Sequence, residues 1–128
     1  MTEFLLGLII WASVQMGIDP KSVGKIEFMM VSTEEMALLA GCSPEIQMCR
    51  IAPAMSDEYR IYILKENKGK ILNYQRDRKL AGFIVHHIVH HIQYQKLKKD
   101  PKKYLENFRI LEKEADEIQS GYEKAIDT

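Results

Sequence analysis

The chain has 128 residues, enough for one domain with a single buried core and too few for two ordinary ones. Its eighteen lysines and arginines balance eighteen aspartates and glutamates, so no global field points to nucleic acid or to an anionic membrane. Its two cysteines, Cys42 and Cys49, are too few for a four-sulfur zinc site and lack the C-x-x-C redox spacing. A local disulfide and two buried thiols both stay open, and with them the compartment, cytoplasmic or secreted.

In chain order, the first element is the apolar run Phe4 to Val14. It has about the length of a signal-peptide core, yet Glu3 stands where such a peptide needs positive charge, and no lysine precedes it. The run is too short to span a bilayer. It reads as a buried first helix from Met1 to Gly17, with Asp19-Pro20 starting a turn. Lys25 to Val31 is β-biased and begins in alternation, which predicts a strand. Ser32-Thr33-Glu34-Glu35 is a capping box, so a short helix follows through Ala40 and closes at Gly41. Gln47 to Ala54 suggests an irregular strand interrupted by Pro53, Arg60 to Leu64 a cleaner one, and Glu66 to Gly69 a loop. From about Ile71 to Leu97 runs a long helical pattern. Lysines gather at 96, 98, 99, 102 and 103 in the turn after it, and Asp100-Pro101 opens the last helix, which contains Lys103 to Ser120 and weakens at Gly121. The order α, β, α, β, β, α, α predicts a single α+β domain over 1–128, a small antiparallel-type sheet packed on helices.

Chemistry concentrates in the long helix. All four histidines fall within six consecutive positions, His86-His87-Ile88-Val89-His90-His91, inside an apolar run. On a helix, His86 and His90 share one face one turn apart, and His87 and His91 form a second such pair rotated by about 100°. Two imidazoles at this spacing can converge on one cation, as they do in the zinc-binding H-E-x-x-H helix. A catalytic zinc needs a third protein ligand. Two antiparallel helices joined near Asp100 bring Glu114 to about the right level, since about ten residues lead from His90 to the turn and about fourteen lead back. Glu112 and Asp116 compete with it if the helix phase differs.

Val85-His86-His87-Ile88-Val89-His90-His91-Ile92-Gln93 resembles the V-H-E-L-V-H-H-L-Q helix of a family of small bacterial gluzincin-type zinc-metallopeptidase-like proteins. Glu114-Ala115-Asp116-Glu117-Ile118-Gln119, followed by Tyr122, is similar to that family's downstream E-A-x-x-x-Q-x-x-Y segment. Weaker likenesses run through Trp11-Ala12, Gly17-Ile18, Glu35-Met36, Ala40-Gly41-Cys42, Cys49-Arg50 and Ile61-Tyr62-Ile63, so the resemblance covers most of the chain. It implies a minimal gluzincin-like domain with zinc held by His86, His90 and Glu114, and with Arg60 to Leu64 as a strand lining a cleft above the metal helix.

The departure is at His87, where the family has its glutamate base. General acid–base help is typically worth about 10²–10⁴ in rate. A neutral imidazole can accept a proton, or can ligate the metal itself. Tyr122, about two turns beyond Glu114, suits either an oxyanion contact or plain packing. His91 and Gln93 suit packing or support of the ligands. The expected function is therefore a metallopeptidase-like, zinc-binding hydrolase domain, catalytically impaired through His87, with a peptide or protein as substrate or partner. The alternative is a structural or interaction subunit of a larger assembly with no functional metal.

Overall fold

Helix α3 (Arg78–Lys96) is the axis on which the other elements pack. The computed structural model describes residues 1–42, 51–67 and 69–125. Asp77 starts α3 by accepting hydrogen bonds from the backbone amides of Lys79 and Leu80 at 3.0 and 3.3 Å. Ile84, Val85, Ile88 and Val89 are fully buried within it. A helix apolar around so much of its circumference must be covered on several sides. Three elements cover it: α1 (Thr2–Gln15), the sheet, and α5 (Phe108–Ala125).

The main sheet has the order β1-β3-β2, from Glu27–Val31, Arg60–Leu64 and Ala54–Ser56. The α+β class is the one expected, but the sheet is mixed. β1 runs parallel to β3, pairing Met29 with Tyr62, whereas β2 runs antiparallel to it, pairing Met55 with Tyr62. The parallel pair follows from topology, because β1 reaches β3 only after the intervening helix α2 (Thr33–Leu39), and parallel strands need such a crossover. Alternation sorts β3 between two cores. Ile61 and Ile63 join Ile84 and Ile88, while Tyr62 and Leu64 join Val31 and Met36 on the α2 side. A small hairpin, β4 (Glu66–Asn67) with β5 (Lys70–Ile71), completes the strands among the described residues.

Local signals held where the chemistry is short range. Ser32 and Glu35 form the reciprocal capping box, and Asp100 caps α4 (Pro101–Glu106). Elsewhere the structure differs from expectation. Ile71 lies in β5, so α3 begins seven residues later than the apolar pattern suggested. The last helix is two helices, broken at Asn107, whose side-chain amide donates to the Lys103 carbonyl at 2.8 Å. Gly121 does not end α5, which continues to Ala125. Helix α1 is half buried, with Leu6, Ile10 and Val14 exposed. No helix among the described residues is long and apolar enough to cross a membrane. Cys42 is disulfide-bonded. Cys49 and the first half of the expected strand from Gln47 lie outside the described residues; of the second half, Ile51 to Pro53 is not strand and Ala54 opens β2.

Tyr74 ties the segment leading into α3 to the sheet. Its hydroxyl lies 2.8 Å from the Leu64 carbonyl and 2.9 Å from that of Pro53, in a fully buried position. Tyr74→Phe is expected to leave those buried acceptors short of a donor and to lower unfolding stability by about 1–2 kcal/mol, read as a lower urea midpoint at unchanged slope.

Candidate metal centre

Helices α3 and α5 lie antiparallel, and side chains meet across them in register: His86 with Asp116, His90 with Glu112, Gln93 with Leu111. Ala115 and Tyr122 define the inward stripe of α5. At about 100° per residue, Glu112 and Asp116 flank that stripe on one side and Glu114 on the other. The result is a tight cluster. His86 Nε2 lies 3.1 Å from His90 Nε2, and the Glu112 carboxylate spans the pair, Oε1 at 2.9 Å from His86 Nε2 and Oε2 at 3.0 Å from His90 Nε2. His86, His90 and Glu112 therefore lie close enough to hold a metal ion, their ligand atoms all within 4.8 Å of one another. His86 Nδ1 comes to 3.3 Å of Asp116 Oδ1 but without the alignment of a hydrogen bond.

Gln93 decides which proton His90 carries. Its side-chain nitrogen donates to the Leu111 carbonyl at 2.8 Å and to Glu114 Oε1 at 2.9 Å. Its oxygen is left to accept, and it lies 2.8 Å from His90 Nδ1. That nitrogen must bear the proton, so His90 Nε2 offers a lone pair. Burial, and next the neighbouring His86 ring, push the His90 pKa down, against Gln93 and Glu112, which favour the charged ring. A neutral His90 then faces Glu112 acceptor to acceptor at 3.0 Å. A cation between them removes that conflict. Tetrahedral ligands with bonds of about 2.0–2.1 Å stand roughly 3.3 Å apart, a few tenths wider than the present separations.

The rest of the histidine cluster is placed differently. His87 Nδ1 is 2.7 Å from Ser56 Oγ on β2. Burial, followed by the His86 and His90 rings, pushes its pKa down to about 3, against a backbone contact with Ala54 that favours the charged form. It is neutral at ordinary pH and a weak base. His91 packs under the β2–β3 turn, where burial lowers its pKa and the backbone groups of Arg60 and Asp57 oppose the shift. That turn is itself fixed by Asp57, which accepts from the Tyr59 and Arg60 amides and the Tyr62 hydroxyl, each at 2.8 Å. Of the remaining expected site residues, Glu114 sits on Gln93 and away from the two imidazoles. Tyr122 is buried in the core, edge-on to Trp11 with centroids 5.3 Å apart, and does not line the cavity.

A cavity of about 600 Å³ opens over the cluster, between Ser56, Asp57 and Glu58 on one side and Tyr104, Leu105 and Phe108 on the other. None of these six residues was singled out from sequence, and two of them touch His90. Phe108 stacks on the His90 ring at 5.6 Å and 13°, and the Tyr104 hydroxyl lies 3.0 Å from His90 Nδ1. Burial, and then the Glu112 charge, pushes the Tyr104 pKa up to about 12, so it remains a hydroxyl. Their one trace in the sequence is an aromatic pair four residues apart. No protein-family model, curated protein or solved structure matches the chain.

The depressed histidines set a pH dependence. Their folded pKa values lie below the unfolded value of about 6.5, so the folded state binds fewer protons, and stability falls as pH drops below about 6.5. For His87 the loss continues down to about pH 3. In chelator-treated protein, urea midpoints are expected to fall steadily over this window, and His87→Gln to make the decline shallower.

Proposed function

We propose that this domain is a metallopeptidase-like zinc centre of the gluzincin type, with His86, His90 and Glu112 as ligands and with peptide hydrolysis impaired at His87. The observation that carries the reading is the convergence of two imidazole Nε2 atoms and one carboxylate on a single point beside a cavity, with the His90 lone pair set by Gln93. Two imidazoles and a carboxylate are a zinc donor set that leaves one position for ligand. Zinc held in this way supplies Lewis-acid polarisation of a carbonyl and makes water more acidic. This assignment moves the third ligand from Glu114 to its neighbour two residues earlier and keeps Glu114 as the anchor of Gln93.

The protein's own groups account for the impairment. A general base works best with a pKa near the working pH. His87, buried and hydrogen-bonded to Ser56, is held at about 3 and accepts protons poorly. Among the described residues strand β2 lies at the sheet edge and contributes Ser56 to the cavity wall, a setting that suits an extended peptide or protein segment.

Untagged protein loaded with zinc and dialysed is expected to retain about one ion per chain. His90→Ala and Glu112→Ala should abolish retention, whereas Glu114→Ala should weaken it by no more than the ~10–100-fold typical of residues that orient ligands. No zinc bound under any loading condition would return the domain to the alternative of a structural or interaction subunit. For the base, His87→Glu is expected to raise cleavage of unstructured peptides by about 10²–10⁴. Wild-type cleavage that His87→Ala abolishes would show instead that the histidine still serves.

A further inference from the structure

Tyr104 is a polar group of the cavity wall that the metal centre does not use. Its hydroxyl approaches His90 Nδ1 at 3.0 Å, but that nitrogen already donates to Gln93 Oε1 at 2.8 Å. The reverse arrangement of Gln93 fails, because its oxygen would then face two acceptors, the Leu111 carbonyl and the Glu114 carboxylate. Toward His90 the Tyr104 oxygen can therefore only accept, and among the described residues its hydrogen meets no acceptor. Unlike Tyr74 and Tyr62, whose hydroxyls are spent on Leu64 and Asp57, it keeps a donor in reserve at a cavity wall.

The ring is also held still. Tyr94 and Phe108 meet it edge-on, with centroids 5.6 and 5.7 Å away. Asp100 caps the short helix that carries it, and two residues with positive φ, Lys98 at 56° and Lys99 at 57°, turn the chain from α3 into that helix. A donor fixed before ligand arrives needs little reorganisation when an oxygen appears in front of it.

We propose that the Tyr104 hydroxyl donates to a peptide carbonyl oxygen of a ligand whose neighbouring group is held at the metal centre. The proposal rests on the metal reading above and gives its ligand a chemical class, an acylated amino-acid derivative in place of a bare metal-binding group. Tyr104, and not Tyr122, which is buried at Trp11, is thus the tyrosine that faces the ligand.

The test uses two probes on cobalt-loaded full-length protein, acetohydroxamate and N-acetylglycine hydroxamate, which differ by one peptide unit. Binding is read from the cobalt absorption bands. In the wild type the longer probe is expected to bind about tenfold more tightly, the scale of one hydrogen bond. In Tyr104→Phe that advantage should collapse toward one, while cobalt uptake and the ligand-free spectrum stay unchanged. An equal ratio in the two proteins overturns the proposal, as does a changed ligand-free spectrum, which would make Tyr104 a support for His90 alone. A wild-type protein that takes up no cobalt overturns the metal centre itself, a failure that metal analysis separates from a failed ratio. Tyr122→Phe, folded and cobalt-loaded, is expected to keep the wild-type ratio.

Discussion

Gln93 is 2% exposed on the buried side of α3, and much of the site depends on how its amide is satisfied. A buried amide without partners costs on the order of 1–3 kcal/mol for each lost contact. Both of its donors are met by α5 and its acceptor by His90, so one residue links the packing of two helices to the protonation of a third group. Shifting α5 along α3 would break those bonds together. The same register that satisfies Gln93 brings Glu112 against His86 and His90.

Burial and charge compete in the histidine cluster, and burial prevails at His87, His90 and His91. Desolvation leads the causes that lower His87, His90 and His91, ahead of every hydrogen bond and ion pair that opposes it. For His90 the consequence suits metal binding, since a neutral ring offers a lone pair. For His87 the same physics makes a weak base. A carboxylate in a buried site is pushed toward higher pKa and becomes a better base, whereas an imidazole is pushed lower and becomes a worse one. The same buried environment would therefore drive a glutamate and a histidine at this position to opposite base strengths.

The sheet serves the site mainly through its edge. Asp57 closes the β2–β3 turn by satisfying two backbone amides and a tyrosine hydroxyl, and this holds Ser56 over His87 and the turn over His91. Opposite, the break at Asn107 separates α4 from α5 and turns Tyr104 and Phe108 onto the His90 ring. A straight helix from Asp100 would have carried those aromatics along another line. The cavity wall draws on residues from both sides of this break.

Periodicity and local caps alone determined the α+β class, the capping box at Ser32, the start at Asp100 and the pairing of His86 with His90 on one face, because each depends on residues within a turn of one another. The identity of the facing carboxylate was not decided at that range. Glu112, Glu114 and Asp116 differ only in angle around α5, and that angle is set by the burial of Ala115 and Tyr122 and by the bonds from Gln93, contacts about twenty residues apart in the chain. The parallel pairing of β1 and the contact of Tyr104 with His90 likewise arise between separate elements. Tertiary packing alone could choose among side chains that the local pattern leaves equivalent, because packing fixes helix phase and register, and these decide which groups meet.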